Sequence, residues 1–438
     1  MPAPLVAGWS CVVCGKHVDV AEPLVWRCPN ASVDDPHHAL QIVQRITPLR
    51  GSHDDSNPFA AFRPYLAWDG FAAAHGMTEE ARNALIHQVD ADISSLAGTG
   101  FHVTPFERAD ELSDQLGFTA DGGVWVKDET GQVAGSHKAR HLMTIMLHIL
   151  TAESMGLAPW SDTSDRPPLA IASCGNAAYA AATLAAAVKW PLRVFVPPHA
   201  DPVVLARLDE LGAEMVPCPR SDTDPPGDPC MHRFREAVAA AAIPFTVQGT
   251  ENAWCLDGGR TIGWEMARCI EEDVEGPPLD RVFVQVGAGT FAASVIGGFR
   301  MSGVMPRLHA VQTDSCAPLQ RAWVKTREVG GPAEAAKHWS ECMWPWEDVG
   351  ASAADGILDD ETYDWIPVVR AMSDGNGSPI VVTEADVLRA NELGRATTGI
   401  NSSHTGTAGL AGLLEAMDQI DPSERVAVIF SGAQRVMQ

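Results

Sequence analysis

The stretch Trp125–Arg140, WVKDETGQVAGSHKAR, decides the fold and carries the first chemical signal. It predicts a short buried strand over Val124–Val126, then an acidic turn, then a Gly-Ser pair that opens a helix with Lys138 in its first turn. A lysine at that place opposes the helix macrodipole, so the field favours the neutral amine. Because a neutral amine can attack an aldehyde, Lys138 is a candidate for Schiff-base chemistry. The alternative is a solvated lysine at a helix start.

Outward from this stretch, apolar strands alternate with helices over about 300 residues, which indicates an α/β fold with parallel sheets covered on both faces. Strands are expected at 168–172, 193–196, 281–286 and 426–430. Residues 46–75 are interpreted as an ordered linker, because proline, glycine and aromatic residues are mixed there. Ligand sites of such folds lie at the carboxyl ends of the strands.

Three motifs follow predicted strands. They are Ser173–Asn176 (SCGN), Gly287–Thr290 (GAGT) and Ser431. A glycine-rich turn before a helix exposes N–H groups that bind phosphate. The GAGT turn lacks the Lys-Ser/Thr of a P-loop and the third glycine of a dinucleotide fingerprint. Each motif taken alone is also compatible with an ordinary turn or helix cap that binds no ligand.

The order of these motifs resembles the fold-type II family of pyridoxal phosphate (PLP) enzymes, which includes threonine synthase, serine/threonine dehydratase, cysteine synthase and the tryptophan synthase β chain. The match covers about residues 100–438. The motifs that carry it are Thr104-Pro105, Lys127–Glu129, Gly135-Ser136-x-Lys138, Ser173–Asn176, the Gly287 loop and Ser431-Gly432. The resemblance implies a tryptophan synthase β-like architecture. Its expected parts are a large PLP-binding domain (46–164 and 248–438), a small mobile domain (165–247) and a zinc-ribbon-like N-terminal segment (1–45).

The resemblance also implies the site. Lys138 would form the Schiff base with the cofactor and then move the Cα proton. Ser431 would face the pyridine nitrogen, and a neutral hydroxyl there suits elimination and replacement. His137 stands where the family usually has phenylalanine, so it either reaches the phosphate or packs. The remaining expected cofactor contacts are Asn176, Gly287, Ala288, Gly289 and Thr290, and the expected substrate contacts are Ser136, Ser173, Cys174, Gly175 and Ala177.

The expected activity is elimination or replacement at the β or γ carbon of an L-amino acid, with conversion of phosphohomoserine to threonine and phosphate as the first hypothesis. That substrate needs extra cations, for which Arg140, Arg260 and Arg435 are candidates unless they pair with acids. The first alternative is a serine/threonine ammonia-lyase that yields a 2-oxo acid. The others are a β-replacement synthase and a non-catalytic binding protein that keeps the fold.

The N-terminal segment contains Cys11-Val-Val-Cys14 and Cys28, which is half of a zinc ribbon plus a third ligand. It is similar to the ribbon of one threonine synthase branch. A fourth cysteine is missing at the regular spacing, and His37 or His38 can complete the set; we take Cys11, Cys14, Cys28 and His38 as the expected ligands. The alternative is a ribbon that has lost its metal and is held by packing.

Composition limits the classes of partner. The 438 residues carry a formal net charge of -25, which argues against nucleic acid because phosphate binding needs a basic face. No apolar run is suited to span a bilayer, and the first residues lack the pattern of a signal peptide. The 10 cysteines are scattered, as in a reduced, cytoplasmic protein. Family members are often dimers, so a homodimer that acts on a small amino acid is expected.

Overall fold

The computed structural model describes residues 5–32, 34–49, 55–198, 200–272, 276 and 278–434. None of the helices in these ranges is long and apolar enough to cross a bilayer. The described strands, numbered in chain order, are β1 Val6–Cys11, β2 His17–Asp19, β3 Leu40–Gln44, β4 Phe106–Arg108, β5 Gly123–Asp128, β6 Leu169–Ala172, β7 Leu192–Val196, β8 Glu214–Pro217, β9 Ile243–Pro244, β10 Arg281–Gln285, β11 Arg307–Thr313, β12 Ser378–Val382 and β13 Arg425–Phe430. The described α-helices are α1 Pro58–Ala61, α2 Ala67–Ala74, α3 Glu79–Ala97, α4 Asp110–Gln115, α5 Lys138–Ser154, α6 Asn176–Ala187, α7 Pro202–Glu210, α8 Pro229–Ala239, α9 Cys255–Glu272, α10 Thr290–Ser302, α11 Pro318–Glu328, α12 Pro332–Lys337, α13 Trp339–Cys342, α14 Trp365–Asp374, α15 Glu384–Thr398 and α16 His404–Glu415.

The largest sheet has six strands in the order β12-β11-β10-β13-β5-β4. All neighbouring pairs are parallel except β4 with β5. Strands β10 and β13 are buried at every residue, as expected for a parallel sheet covered on both faces. Because β5, β10 and β13 run in the same direction, the segments after all three reach the same edge of the sheet.

A second, wholly parallel sheet has the order β8-β7-β6-β9, and its strand β6 ends at Ala172, just before the SCGN loop. A third sheet, β2-β1-β3, is antiparallel and belongs to the N-terminal segment. The α/β architecture with parallel strands that the sequence predicts is therefore present. Its division into 1–45, 46–164 with 248–438, and 165–247 stays a prediction.

Close contact between α9 and α5 fixes the start of the helix that carries Lys138. A Cβ atom added to Gly258 of α9 would lie 1.9 Å from the backbone oxygen of Arg140. Only a residue without a side chain allows this approach. The first turn of α5 is thus held between the Gly-Ser turn before it and α9 beside it.

The interpretation of 46–75 as a linker was wrong for most of its length. Helices α1 and α2 form there, and Phe59, Phe62, Trp68 and Phe71 are almost completely buried. Asn57 caps α1, since its side chain accepts a hydrogen bond from Phe59 N. The segment is therefore part of the core. Strand β12, helix α11 and the two short helices α12 and α13 are further elements that the sequence analysis does not predict.

Candidate active site

The elements around Lys138 form as the sequence predicts. Strand β5 ends at Asp128, and α5 begins at Lys138 itself, with His137 as the N-cap. The lysine is half-buried and lines a cavity of about 680 Å³. Burial lowers the pKa of Lys138, and the Asp359 carboxylate opposes that shift. The amine is therefore neutral at a lower pH than an ordinary lysine, as Schiff-base chemistry requires.

Nearly all of the predicted site residues line this one cavity. They are His137, Lys138, the loop 173–177, the loop 287–290 and Ser431. The exception is Ser136, which is buried at 1% exposure and is not part of the described cavity lining. Four segments that are far apart in sequence therefore meet at the edges of the six-stranded and the four-stranded sheet.

The GAGT loop has the shape of an anion cradle. A Cβ atom at Gly287 would lie 2.1 Å from Asp359 Oδ2, and one at Gly289 would lie 2.8 Å from Thr362 Cγ2. Gly289 also has φ +92°, which L-residues rarely adopt. Helix α10 starts at Thr290, so its free N–H groups and dipole face the loop. The Thr290 hydroxyl itself donates to the Asp364 carboxylate.

The SCGN loop opens helix α6, which begins at Asn176. Ser173 Oγ accepts a hydrogen bond of 3.3 Å from Gly175 N. A Cβ atom at Gly432 would lie 2.9 Å from Asn176 Nδ2, and Gly432 has φ +90°. Glycine at that position therefore lets the end of β13 approach the Asn176 amide.

His137 contacts Ser431 and packs on the helix that follows the GAGT loop. Its Nδ1 lies 2.6 Å from Ser431 Oγ, which also accepts from His137 N at 3.1 Å. The imidazole ring stacks on Phe291 with 3.8 Å between ring centroids. Burial, reinforced by the nearby Lys138, holds the pKa of His137 well below its ordinary value, so the ring is neutral. If Nδ1 carries the proton, the Ser431 hydroxyl accepts twice and its own proton is free to point into the cavity.

The cavity is acidic. Its described lining includes four aspartates, and Lys138 is the one lysine or arginine in it. The aspartates are Asp201, Asp228, Asp355 and Asp359. None of the four was predicted as a site residue, because their segments are far from Lys138 in the sequence.

The arginines proposed for a substrate phosphate are occupied elsewhere. Arg140 is fully buried between Glu129 (Nε to Oε2, 2.8 Å) and Glu265 (Nη1 to Oε1, 2.5 Å). Arg260 is buried in α9 and pairs with Asp257 at 3.2 Å. Arg435 lies outside the described residues. The two described arginines therefore stabilise the fold, and neither lines the cavity.

A buried ionic network lies beneath α5. Glu265 accepts from both Arg140 and Lys127, and Lys127 Nζ also donates to the backbone oxygen of Thr104 at 2.6 Å. Glu129 accepts from the Thr104 hydroxyl at 2.5 Å. These residues carry the Thr104-Pro105 and Lys127–Glu129 motifs of the sequence. The network joins strand β5, the Lys138 helix and α9.

The predicted metal ligands come together in the N-terminal sheet. The ligand atoms of Cys11, Cys14, Cys28 and His38 all lie within 4.8 Å of one another. Cys11 Sγ is 3.3 Å from His38 Nδ1, and Cys14 Sγ is 3.6 Å from Cys28 Sγ. Tetrahedral zinc with Zn–S bonds of about 2.3 Å separates its sulfurs by roughly 3.7 Å. His37 instead stacks on Trp339, so His38 is the histidine of the cluster.

Comparison with known proteins decides the family. The family model described as "Pyridoxal-phosphate dependent enzyme" matches residues 98–432. The chain belongs to this family. The residues present also fit the cofactor. Lys138 supplies an amine of lowered pKa, and the loop 287–290 contains two glycines at which a Cβ atom would collide with Asp359 or Thr362. His137 Nε2 is buried and has no hydrogen-bond partner among the described residues.

Solved structures of similar fold span most of this chain. Maize serine racemase is 16% identical with a TM-score of 0.59, covering 80% of this chain and 94% of its own. Threonine deaminase isoform 2 from Solanum lycopersicum is 17% identical with a TM-score of 0.59, and the match covers 82% of this chain and 91% of the deaminase chain. Diaminopropionate ammonia lyase from Escherichia coli is 16% identical with a TM-score of 0.59, and the match covers 81% of this chain and 89% of the lyase chain. At these identities the likeness shows the fold alone. None of the curated proteins matches the chain.

Proposed function

We propose that this chain is a PLP-dependent ammonia-lyase, which eliminates a β leaving group from an L-amino acid and yields a 2-oxo acid and ammonia. The observation that carries the proposal is the meeting of Lys138 with the loops 173–177 and 287–290 in one cavity. A lyase-type reaction is also supported by the names of two structural neighbours, threonine deaminase and diaminopropionate ammonia lyase.

Each segment has a role in this proposal. The Lys138 amine holds the cofactor aldehyde carbon and later moves the proton at Cα. The amides of 287–290 hold the cofactor phosphate, Asn176 faces its phenolic oxygen, and Ser431 faces its ring nitrogen. The amides of 173–177, at the start of α6, hold the substrate carboxylate. PLP, when bound, supplies the electron sink that weakens the bonds at Cα.

The charge of the cavity places ammonia-lyase activity ahead of the phosphohomoserine hypothesis. A phosphorylated substrate brings a second phosphate next to that of the cofactor, and four aspartates already line the described cavity. Buried anions need paired cations, and the described arginines Arg140 and Arg260 are engaged with other acids. A substrate without a phosphate avoids the energetic cost of burying a second phosphate that has no paired cation.

Product analysis separates the two activities. The purified, PLP-loaded protein is incubated with L-serine, with L-threonine, with L-2,3-diaminopropionate and with O-phospho-L-homoserine. The proposal predicts ammonia and a 2-oxo acid from at least one of the first three. Stoichiometric phosphate and threonine from the fourth substrate, with no 2-oxo acid from the others, would reverse the order of the two hypotheses.

We also propose that Cys11, Cys14, Cys28 and His38 hold one structural Zn²⁺. The support is the spacing of the four ligand atoms, together with Asp35, whose Oδ2 lies 3.2 Å from His38 Nε2. A carboxylate on the second ring nitrogen orients a metal-bound histidine. Arg27 and Trp26, next to Cys28, contact Glu251 and Trp254 in front of α9, so the ribbon packs on the catalytic body. The homodimer remains an expectation that size-exclusion chromatography with light scattering tests.

A further inference from the structure

The His137 side chain does not cap the helix that it precedes. His137 is the N-cap residue of α5, but its side chain makes no capping hydrogen bond there. The ring turns instead to the end of β13, where its Nδ1 lies 2.6 Å from Ser431 Oγ. A phenylalanine, which the family usually has at this position, cannot make this bond.

Packing fixes the orientation of the ring. The imidazole of His137 stacks on Phe291 with an angle of 14° between the two planes, and the ring of His141 meets it at 78°. The backbone holds the two segments together, because Ala433 N donates to Gly135 O at 2.8 Å. Both side chains of the contact are almost fully buried. The contact between Nδ1 and the serine hydroxyl is therefore a fixed part of the site.

The hydrogen bond between the two side chains can run in either direction. If Nδ1 carries the proton, it donates to Ser431 Oγ, and the hydroxyl proton of Ser431 is directed elsewhere. If Nε2 carries the proton, Ser431 donates to Nδ1 and its hydroxyl proton is used there. Burial and the nearby Lys138 hold the pKa of His137 well below its ordinary value, so the ring is neutral. One ring nitrogen therefore carries a proton and the other does not.

The surroundings of Nε2 favour the first of these tautomers. Nε2 is buried and has no hydrogen-bond partner among the residues that the structure describes. A buried N–H group without an acceptor is rarer in proteins than a buried acceptor without a donor. Ser431 Oγ also accepts from the backbone N of His137 at 3.1 Å. With the proton on Nδ1, this oxygen accepts both bonds, and the hydroxyl proton of Ser431, which lines the cavity, is directed into it.

We propose that His137 is a positioning residue, which donates from Nδ1 to Ser431 and thereby directs the Ser431 hydroxyl proton to the ring nitrogen of the cofactor. The inference rests on the proposed function, which places that nitrogen opposite Ser431. An oxygen that accepts two hydrogen bonds is polarised and becomes a stronger donor. This role differs from a contact of His137 with the cofactor phosphate, because that contact requires the proton on Nε2.

Nuclear magnetic resonance of the full chain, with and without PLP, tests the tautomer. Isotope-labelled histidine is incorporated, and two-bond proton–nitrogen correlations distinguish a protonated from an unprotonated ring nitrogen. His137→Phe identifies the His137 signals by their loss and keeps an aromatic ring against Phe291. If this variant does not fold, the shift of the same signals in Ser431→Ala identifies them. The proposal predicts a neutral ring with its proton on Nδ1, and a proton on Nε2 would overturn it.

A matched pair of cofactors tests the consequence. The deaza analogue of PLP has a C–H group in place of the ring nitrogen and keeps the aldehyde and the phosphate. The dissociation constant of the analogue divided by that of PLP, both from equilibrium dialysis, measures what the nitrogen contributes. Ser431→Ala should lower this ratio roughly three- to tenfold, the size of one neutral hydrogen bond. His137→Phe should lower it at least about twofold, because Ser431 loses the bond that polarises and orients it.

Two further variants locate the effect. In a Ser431→Ala background, His137→Phe should cause no further loss, because the histidine acts through the hydroxyl. The matched control is His148→Phe, since His148 is also buried in α5 but is not part of the described cavity lining. This control should retain the wild-type ratio. Thermal melting checks that each variant is folded.

The opposite tautomer predicts the opposite sign. If Ser431 donated to Nδ1, His137→Phe would release the hydroxyl and raise the ratio. A ratio that rises or stays unchanged in a folded His137→Phe protein, or that falls equally in the Ser431→Ala background, would overturn the inference. Failure of the proposed function looks different, because neither PLP nor its analogue then binds. The contact with the ring nitrogen falls with it, and the tautomer measurement still decides the direction of the hydrogen bond.

Discussion

Replacing Glu265 with alanine tests the buried network that supports α5, the helix that begins at Lys138. Glu265 accepts from Lys127 and Arg140, and the side chains of all three are at most 1% exposed. Burial opposes ionisation of Glu265, but Arg140 and Lys127 hold its pKa below the ordinary value, so the carboxylate is charged. Glu265→Ala leaves Lys127 buried without a carboxylate partner from α9 and leaves Glu129 as the only carboxylate that pairs with Arg140 among the described residues.

We expect Glu265→Ala to lower the free energy of unfolding strongly. Removal of one partner from a buried ion pair costs roughly 3–5 kcal/mol in the free energy of unfolding, because the remaining charge is uncompensated. A matched control is Glu272→Ala on the same helix. Glu272 is 53% exposed and pairs with Arg268 at 3.7 Å, so its loss should cost less than about 1 kcal/mol.

Urea unfolding of the two variants and the wild type measures this difference. Fluorescence and circular dichroism are followed together, because a chain of this size can unfold in more than one step. The reasoning predicts that Glu265→Ala shifts the first transition strongly and that Glu272→Ala does not. A folded Glu265→Ala protein within about 1 kcal/mol of the control would refute the assigned role of the network.

Two further predictions concern the cofactor and the metal. Gly287→Ala should weaken PLP binding at least about tenfold in equilibrium dialysis, because a side chain at this position collides with Asp359. The control is Gly297→Ala, where the added Cβ atom meets no atom closer than 3.8 Å. This control should bind PLP as tightly as the wild type. Cys14→Ser should lower the zinc content, measured by plasma mass spectrometry, from one ion per chain to well below one. The control Cys174→Ser should retain one zinc ion per chain. Equal zinc content in the two variants would contradict the proposed ligand set.

The local parts of the site could be predicted from the sequence. Lys138 starts a helix after a short strand, and the SCGN and GAGT loops each join a buried strand to a helix, so a few contiguous residues determine their shape. Parallel strands then bring these loops to the same region of the cavity. The one predicted contact that the described cavity lining lacks is Ser136, which lies on the buried side of the turn.

The remaining features depend on contacts between distant segments. Arg140 and Glu265 are 125 residues apart, and no periodicity in either helix indicates that they pair. Asp359 lies just after a short 3-10 helix, Asp355–Ile357, and only the three-dimensional arrangement brings it next to Gly287. The segment 46–75 was misjudged because its helices are short, and proline and glycine hide their apolar spacing, while Trp68 and its neighbours bury it in the core.

The most direct test of the central claim is the absorbance spectrum of the purified protein, supplied with PLP and recorded before and after borohydride, with Lys138→Ala measured alongside. We predict a Schiff-base band in the wild type, its loss on reduction, and a reduced cofactor attached to Lys138 in peptide mass spectrometry. The variant should show no such attachment. A wild type without the band, or a cofactor trapped on another lysine such as Lys127, would contradict the assignment of this cavity as the catalytic site.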